Sequence, residues 1–306
     1  MSNEKKYISV DGNTAAAMIG YALSDTACIF PITPSTPMAE LCDEWAAKGQ
    51  KNIFGNTVKV TEMQSEGGAA GAVHGSAAVG ALTTTYTASQ GLLLMIPNMY
   101  KIAAECLPVV FHVSARTLAA QAINIFGDHQ DVMACRQTGF CMLASNNVQE
   151  AHDMALVAHI AALNSSLPFL HFFDGFRTSH EINKIEEISY DVIKKMLPMD
   201  KINAYRKSAH NPNHPKLMGP CENGDTYFQN REANNKFYDD AYVAVENAMK
   251  QLGELTGRQY APFNYYGSPD ATEVIVVMGS GADAVHESLD TMIKKEGKKY
   301  GVVKVH

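Results

Sequence analysis

The chain has 306 residues, with 25 Lys and Arg against 32 Asp and Glu and a formal net charge of −7; at roughly 150 residues per domain that length allows about two domains, and the missing basic excess speaks against a nucleic-acid partner. Charged residues are 19% and apolar residues 46%, the balance of a core-forming chain and not of a disordered one. The longest apolar runs, such as residues 108–113, fall well short of the ~18 residues a membrane helix needs, and the opening MSNEKK carries no secretory signal, so a cytoplasmic protein with no membrane partner is expected.

Along the chain, residues 11–24 predict a helix that Asn13 or Thr14 can cap. Residues 27–30 (ACIF) form a short apolar strand stopped by Pro31. A loop with three prolines follows, and Pro37 sits at an allowed first-turn position of a helix over 38–48. Residues 57–61 alternate like a strand and run into a helix of small residues over 67–79. Strand 82–86, helix 89–104, strands 108–113 and 140–144, helix 148–164 and strand 169–173 come next. Strands alternate with helices, and the strands are mostly continuous apolar runs. This is the pattern of an α/β fold, a parallel sheet with helices on both faces. Ligands in such folds bind beyond the carboxyl ends of the strands, which directs attention to the loops after Phe30, Thr61, Tyr86 and Val113.

Residues 206–238, rich in Asn, Pro, His, Gly and Lys, read as an extended surface segment. A helix over 242–255, a connector over 257–269, a strand over 273–278, a Gly279-Ser-Gly281 turn, a helix over 282–295 and a strand over 301–306 complete the chain. A lone strand–helix–strand unit gives a two-stranded parallel sheet that buries too little to stand alone. The expected organisation is therefore one complete domain over 1–258 and an incomplete second unit over 259–306.

Glu66 is the most informative carboxylate. It opens a run of almost only Gly, Ala, Ser and Val, whose backbone packs close to its neighbours and keeps water out. A carboxylate in such surroundings suits proton transfer to a bound heterocycle, although a helix start favours a carboxylate through the macrodipole alone. Thr33 stands in the rigid loop FPITPSTP (30–37), where it can aim its hydroxyl at a ligand or simply belong to a capped turn. Arg116 follows a buried strand in FHVSAR (111–116). A guanidinium there suits bidentate capture of a carboxylate, or serves a structural ion pair. The polar cluster Gly127-Asp-His-Gln-Asp131 can line the same face, or form a turn capped by Asp128. Gly279-Ser-Gly281 matches only the start of a dinucleotide fingerprint, a weak signal. None of the six cysteines forms a C-x-x-C pair, and Pro212 and Pro215 argue against a helical His210–His214 metal pair, so no metal site is expected in this chain.

Read together, these stretches are similar to the N-terminal part of the pyruvate:ferredoxin (flavodoxin) oxidoreductases, thiamine diphosphate-dependent 2-oxoacid oxidoreductases. FPITPSTP (30–37) resembles the family's YPITPSSP loop, and EMQSEGGAAGAVHG (62–75) its EMQSEAGAAGAVHG. TTTYTASQGLLLMIP (83–97), FHVSAR (111–116), FGDHQDVMACRQTG (126–139) and FFDGFRTSHE (172–181) also match. Phe30 and Gly67 replace the family's usual tyrosine and alanine. The resemblance implies a pyrimidine-side thiamine diphosphate domain followed by the start of a transketolase-C-like domain. It implies that Glu66 hydrogen-bonds the aminopyrimidine ring nitrogen and that Thr33 and Arg116 bind the pyruvate carboxylate. It further implies CoA-dependent oxidative decarboxylation of pyruvate to acetyl-CoA and CO2. Electrons would pass through iron–sulfur clusters to ferredoxin or flavodoxin, in a protein that is a homodimer when full length. Mg2+ and the [4Fe-4S] clusters would be bound by domains outside this chain. The alternatives are a sibling acting on another 2-oxoacid, or a non-catalytic interaction module derived from this domain.

Overall fold

The computed structural model describes residues 5–306; residues 1–4, part of the opening stretch read above for a signal, lie outside the described residues. In chain order the first elements are β1 (Tyr7–Val10), α1 (Gly12–Leu23), β2 (Thr26–Ile29), α2 (Thr36–Ala47), β3 (Lys59–Glu62), α3 (Glu66–Ala78), β4 (Thr83–Thr87), α4 (Ser89–Ala104), β5 (Val110–Ala115), α5 (Gln130–Ala134), β6 (Cys141–Ser145), α6 (Val148–Ser165) and β7 (Phe169–Asp174). Then come β8 (Asn183–Glu186), α7 (Tyr190–Met196), α8 (Met199–Lys207), α9 (Gly224–Ala233), α10 (Asn235–Thr256), β9 (Phe263–Gly267), β10 (Glu273–Met278), α11 (Gly281–Glu296) and β11 (Tyr300–Val305).

The main sheet has six strands in the order β3-β2-β4-β5-β7-β6, and every pairing is parallel. The α/β sheet expected from the apolar strands is thus present. Strands β2, β4, β5 and β7 are buried along their whole length. Even the threonine-rich β4 belongs inside, because Thr84 and Thr85 satisfy their hydroxyls on the carbonyls of Val110 and Cys28. Helices α1 and α6 build an apolar layer on one face, with α10 packed outside α6, while α3 and α4 cover the other. Burial, reinforced by the neighbouring imidazoles, keeps the core residue His112 neutral, hydrogen-bonded at 2.9 Å to His171 and at 3.2 Å to His159.

Two local expectations change. Asp11, not Asn13 or Thr14, caps α1 by accepting from the Thr14 amide at 2.7 Å, and this leaves the Asn13 side chain for another use. The segment read as extended holds α9, and α10 begins at Asn235, seven residues before the expected start. The residues of α9 are all polar or exposed, so no apolar stripe marks it as a helix.

The second sheet contains one strand more than expected. Within the presumed connector, β9 pairs antiparallel with β11, which pairs parallel with β10. Several hydrogen bonds join this unit to the main sheet and its helices, Asn147 to Asp283 at 3.0 Å and Tyr260 to Asp153 at 2.7 Å among them. Asp174 accepts from the Ser280 amide and hydroxyl, Lys304 reaches the buried Glu150 at 2.6 Å, and His306 Nδ1 donates to the Ala144 carbonyl at 3.2 Å.

Candidate active site

All six strands of the main sheet run the same way, so their carboxyl ends share one edge. Chain order reverses there: β2 leads out to β3 on one side, and β4 leads to β5 on the other. The gap between β2 and β4 is therefore the topological switch point of the sheet, where open α/β folds bind ligands. The loops around it carry Thr33 after β2, Glu66 after β3, Ser89 to Gly91 after β4, and Arg116 after β5.

Glu66 is the first residue of α3. Ser65 fixes the helix start by accepting from the Gly68 amide at 3.1 Å. Although only 7% exposed, the Glu66 carboxylate accepts no hydrogen bond from any described residue. It lies against Gly91 in the first turn of α4, where a Cβ would stand 2.7 Å from Glu66 Oε1, 2.8 Å from its Cγ and 2.9 Å from Thr87 Oγ1. Gly91 is therefore the space into which Glu66 folds. At Gly67, by contrast, an added Cβ meets nothing closer than the Leu94 carbonyl at 3.4 Å, so that position does not constrain the carboxylate.

Thr33 and Arg116, 83 residues apart, come together. The Arg116 Nε donates to the Thr33 carbonyl at 2.8 Å. Thr33 itself is exposed, while Arg116 is 7% exposed, and its Nη2 has no partner among the described residues. Burial pulls the Arg116 pKa down and the charge of Asp131 opposes that, but a guanidinium stays cationic at any working pH.

The polar cluster 127–131 divides its tasks. Asp128 accepts from the Gln130 amide and makes the turn. Asp131, fully buried, accepts from the amides of Ser89 (2.7 Å), Arg116 (3.1 Å) and Val132 (2.8 Å). Burial pushes its carboxyl up to about 6, against the pull of those three bonds. Through this one residue the start of α4, which holds Glu66 in place, is tied to the backbone of Arg116. His129 turns away and donates to Asp174 at 2.6 Å. A cavity of about 460 Å³, lined by Met18, Ile19, Lys51 and Tyr190 among others, includes none of these residues.

The family described as pyruvate flavodoxin/ferredoxin oxidoreductase, thiamine diphosphate-binding, matches residues 19–250. This chain belongs to that family. It is similar to the pyruvate:ferredoxin oxidoreductase of Moorella thermoacetica, 59% identical over 297 residues that make up 97% of this chain and 25% of the relative. It is 58% identical over 306 residues to the pyruvate-flavodoxin oxidoreductase of Klebsiella pneumoniae, covering 100% of this chain and 26% of that one. The mitochondrial pyruvate dehydrogenase [NADP(+)] of Euglena gracilis is 56% identical over 298 residues, 97% of this chain and 16% of its own. The chain thus spans about a quarter or less of the length of these relatives. Among solved structures, the 2-oxoglutarate:ferredoxin oxidoreductase from Magnetococcus marinus, with 2-oxoglutarate, coenzyme A and succinyl-CoA bound, shares the fold. Its TM-score is 0.70 at 16% identity, over 98% of this chain and 54% of that one.

Glu66, Thr33 and Arg116 stand out in the sequence motifs, but several residues packed around them escape a reading of the sequence. Gly91 and Ser89 sit in a strand-to-helix turn, and the only local signal is a glycine two residues into a helix. Asp131 is one of three acidic or amide residues within four positions, Asp128, Gln130 and Asp131, with equal claim. Among the described residues no group of three or more His, Cys, Asp and Glu is arranged to hold a metal ion, and no helix is long and apolar enough to cross a membrane.

Proposed function

We propose that this chain is the pyrimidine-side portion of a thiamine diphosphate enzyme that cleaves pyruvate oxidatively with coenzyme A. The products are acetyl-CoA and CO2, and the electron pair leaves through iron–sulfur clusters to ferredoxin or flavodoxin. In this reading residues 1–258 form the pyrimidine-side domain and residues 259–306 begin a transketolase-C-like domain. Polypeptide outside the 306 residues binds Mg2+, the clusters and coenzyme A, and the whole assembles as a homodimer in the cytoplasm.

The observation that carries the proposal is Glu66. The residue is only 7% exposed, its carboxylate oxygens accept no hydrogen bond from a described residue yet are not sealed off, so a ligand can reach them, and Gly91 leaves the space the side chain occupies clear. An aminopyrimidine ring nitrogen is a partner of the right chemistry, so the residues present fit the cofactor. When bound, thiamine diphosphate supplies the carbon that adds to the 2-oxoacid carbonyl and the electron sink for decarboxylation. Glu66 shares a proton with the ring nitrogen through its carboxyl oxygen and so sets the tautomer of the pyrimidine. Arg116, with Nε on the Thr33 carbonyl and Nη1 turned to the Thr117 carbonyl at 3.5 Å, keeps Nη2 for the substrate carboxylate, and the exposed Thr33 offers its hydroxyl to the same group.

In the full-length protein, Arg116→Lys should raise the pyruvate KM about tenfold, because Lys lacks the planar fork that matches a carboxylate. An unchanged apparent pyruvate affinity would rule out the contact. The NADP+-named relative, at 56% identity, supports the reading that the electron acceptor is chosen outside this stretch of chain.

A further inference from the structure

Asn13 is not used as the cap of α1, and its side chain turns inward. Its Nδ2 donates to the Pro34 carbonyl at 2.9 Å, and its Oδ1 accepts from the Ser114 hydroxyl at 2.7 Å. Both Asn13 and Ser114 are fully buried. Chemistry fixes the orientation. The Pro34 carbonyl can only accept, so the amide nitrogen must face it; the amide oxygen then faces Ser114, whose hydroxyl must donate. The site needs one donor and one acceptor on a short side chain. Aspartate lacks the donor and leucine lacks both.

These bonds join the two residues assigned above to the substrate. Pro34 follows Thr33, and Ser114 stands two residues before Arg116 on β5. Arg116 Nε closes on the Thr33 carbonyl at 2.8 Å. The result is a ring: Ser114 to Asn13, Asn13 to Pro34, one peptide back to Thr33, Arg116 to Thr33, and β5 back to Ser114. Gly175 presses on it from outside, since a Cβ there would stand 2.7 Å from Pro34 Cγ and 2.9 Å from the Ala115 carbonyl. The backbone of Asn13 is itself held by the Ser179 carbonyl at 3.1 Å. The loop after β2 cannot slide along the end of β5 without breaking a buried hydrogen bond, which leaves a polar group unsatisfied.

We propose that Asn13, acting with Ser114, is a positioning residue for the substrate carboxylate: the ring sets the separation of Thr33 and Arg116. This rests on the assignment of those two residues to pyruvate. Its signature is a loss of pyruvate affinity with little change in turnover or in cofactor saturation, because Glu66 and Gly91 lie outside the ring.

The test uses the full-length enzyme with Asn13→Ala, Arg116→Lys and the double variant. Asn13→Ala should raise the pyruvate KM about tenfold, with kcat and thiamine diphosphate saturation within about twofold of wild type. Added to Arg116→Lys, it should change KM by less than about twofold, since both act on one interaction. If Asn13→Ala does not fold, Ser114→Ala removes one bond of the same ring and should raise KM about threefold, and Ser114→Thr, which keeps the hydroxyl, should restore it. The proposal is overturned if Arg116→Lys raises KM while Asn13→Ala and Ser114→Ala do not, or if the Asn13 effect multiplies in full on top of the Arg116 effect. If Arg116→Lys itself leaves KM unchanged, the carboxylate assignment falls, and the positioning role falls with it.

Discussion

Glu66 and Gly91 form a pair in which one residue's side chain requires the other to have none. The small residues after Glu66 announce a tightly packed helix in the sequence, and the carboxylate at its start stands out for that reason. The partner does not stand out, because the contact between α3 and α4 is tertiary and Gly91 lies 25 positions further on. Gly91→Ala would place a Cβ within 3 Å of three atoms, two of them in Glu66. The Glu66 carboxylate must then move. In the full-length enzyme this variant should lose about 100-fold in turnover, the scale of an ~1 Å misplacement of a reacting group, while its circular dichroism stays that of the wild type. Turnover within about threefold of wild type would show that the fit of Glu66 against Gly91 is not needed for its role. Asn13 teaches the same lesson from the other side. Its sequence position suggests a cap, and only the neighbouring Asp11, Pro34 and Ser114 show what the amide is for.

At the level of elements, buried strands are readable as continuous apolar runs, and β2, β5, β6 and β7 are visible in that way, while β3 shows by its alternation and β4 by its β-branched threonines. The strands that escape are β1, β8 and β9, which are short, partly exposed and paired antiparallel at the periphery. Their residues are set by pairing partners far away in sequence, which no local pattern contains. The Gly279-Ser-Gly281 turn, which looks like a fragment of a dinucleotide fingerprint, is instead docked on the main domain. Asp174 accepts from Ser280 Oγ at 2.5 Å and from His129 Nε2 at 2.6 Å. Burial works against the charged imidazole, but the Asp174 bond and charge outweigh it and raise the His129 pKa above its ordinary 6.5. Burial likewise works against the Asp174 carboxylate, and His129 and Ser280 outweigh it, lowering the pKa below 3.8. A raised histidine pKa gives stability that is complete below 6.5 and is lost as pH climbs through the folded value; a lowered aspartate pKa gives stability that is complete above 3.8 and is lost as pH falls through the folded value. The contact is therefore strongest between about pH 4 and 6.5. The difference in melting temperature between wild type and Asp174→Asn should be largest near about pH 6 and shrink as pH climbs past the raised histidine pKa toward pH 9. A difference that stays flat over that range would show that the contact carries no charge.

At the scale of the whole molecule, these 306 residues present one edge of a parallel sheet on which a carboxylate, an arginine and a threonine are each held in place by buried neighbours. They correspond to about a quarter of the bacterial relatives' length, and the proposed division leaves the cofactor's diphosphate to other polypeptide. Calorimetric titration of the 306-residue chain with thiamine diphosphate and Mg2+ should accordingly show a Kd weaker than about 1 mM, and tight magnesium-dependent binding would refute the division. The central claim concerns Glu66, and its most direct test reads the cofactor itself. In the full-length enzyme, hydrogen–deuterium exchange at the thiazolium C2 of bound thiamine diphosphate reports proton removal independently of pyruvate, coenzyme A or the electron acceptor. Glu66→Ala should slow this exchange by about 100-fold or more, the scale of losing a placed acid–base group; exchange at the wild-type rate in that variant would contradict the role of Glu66.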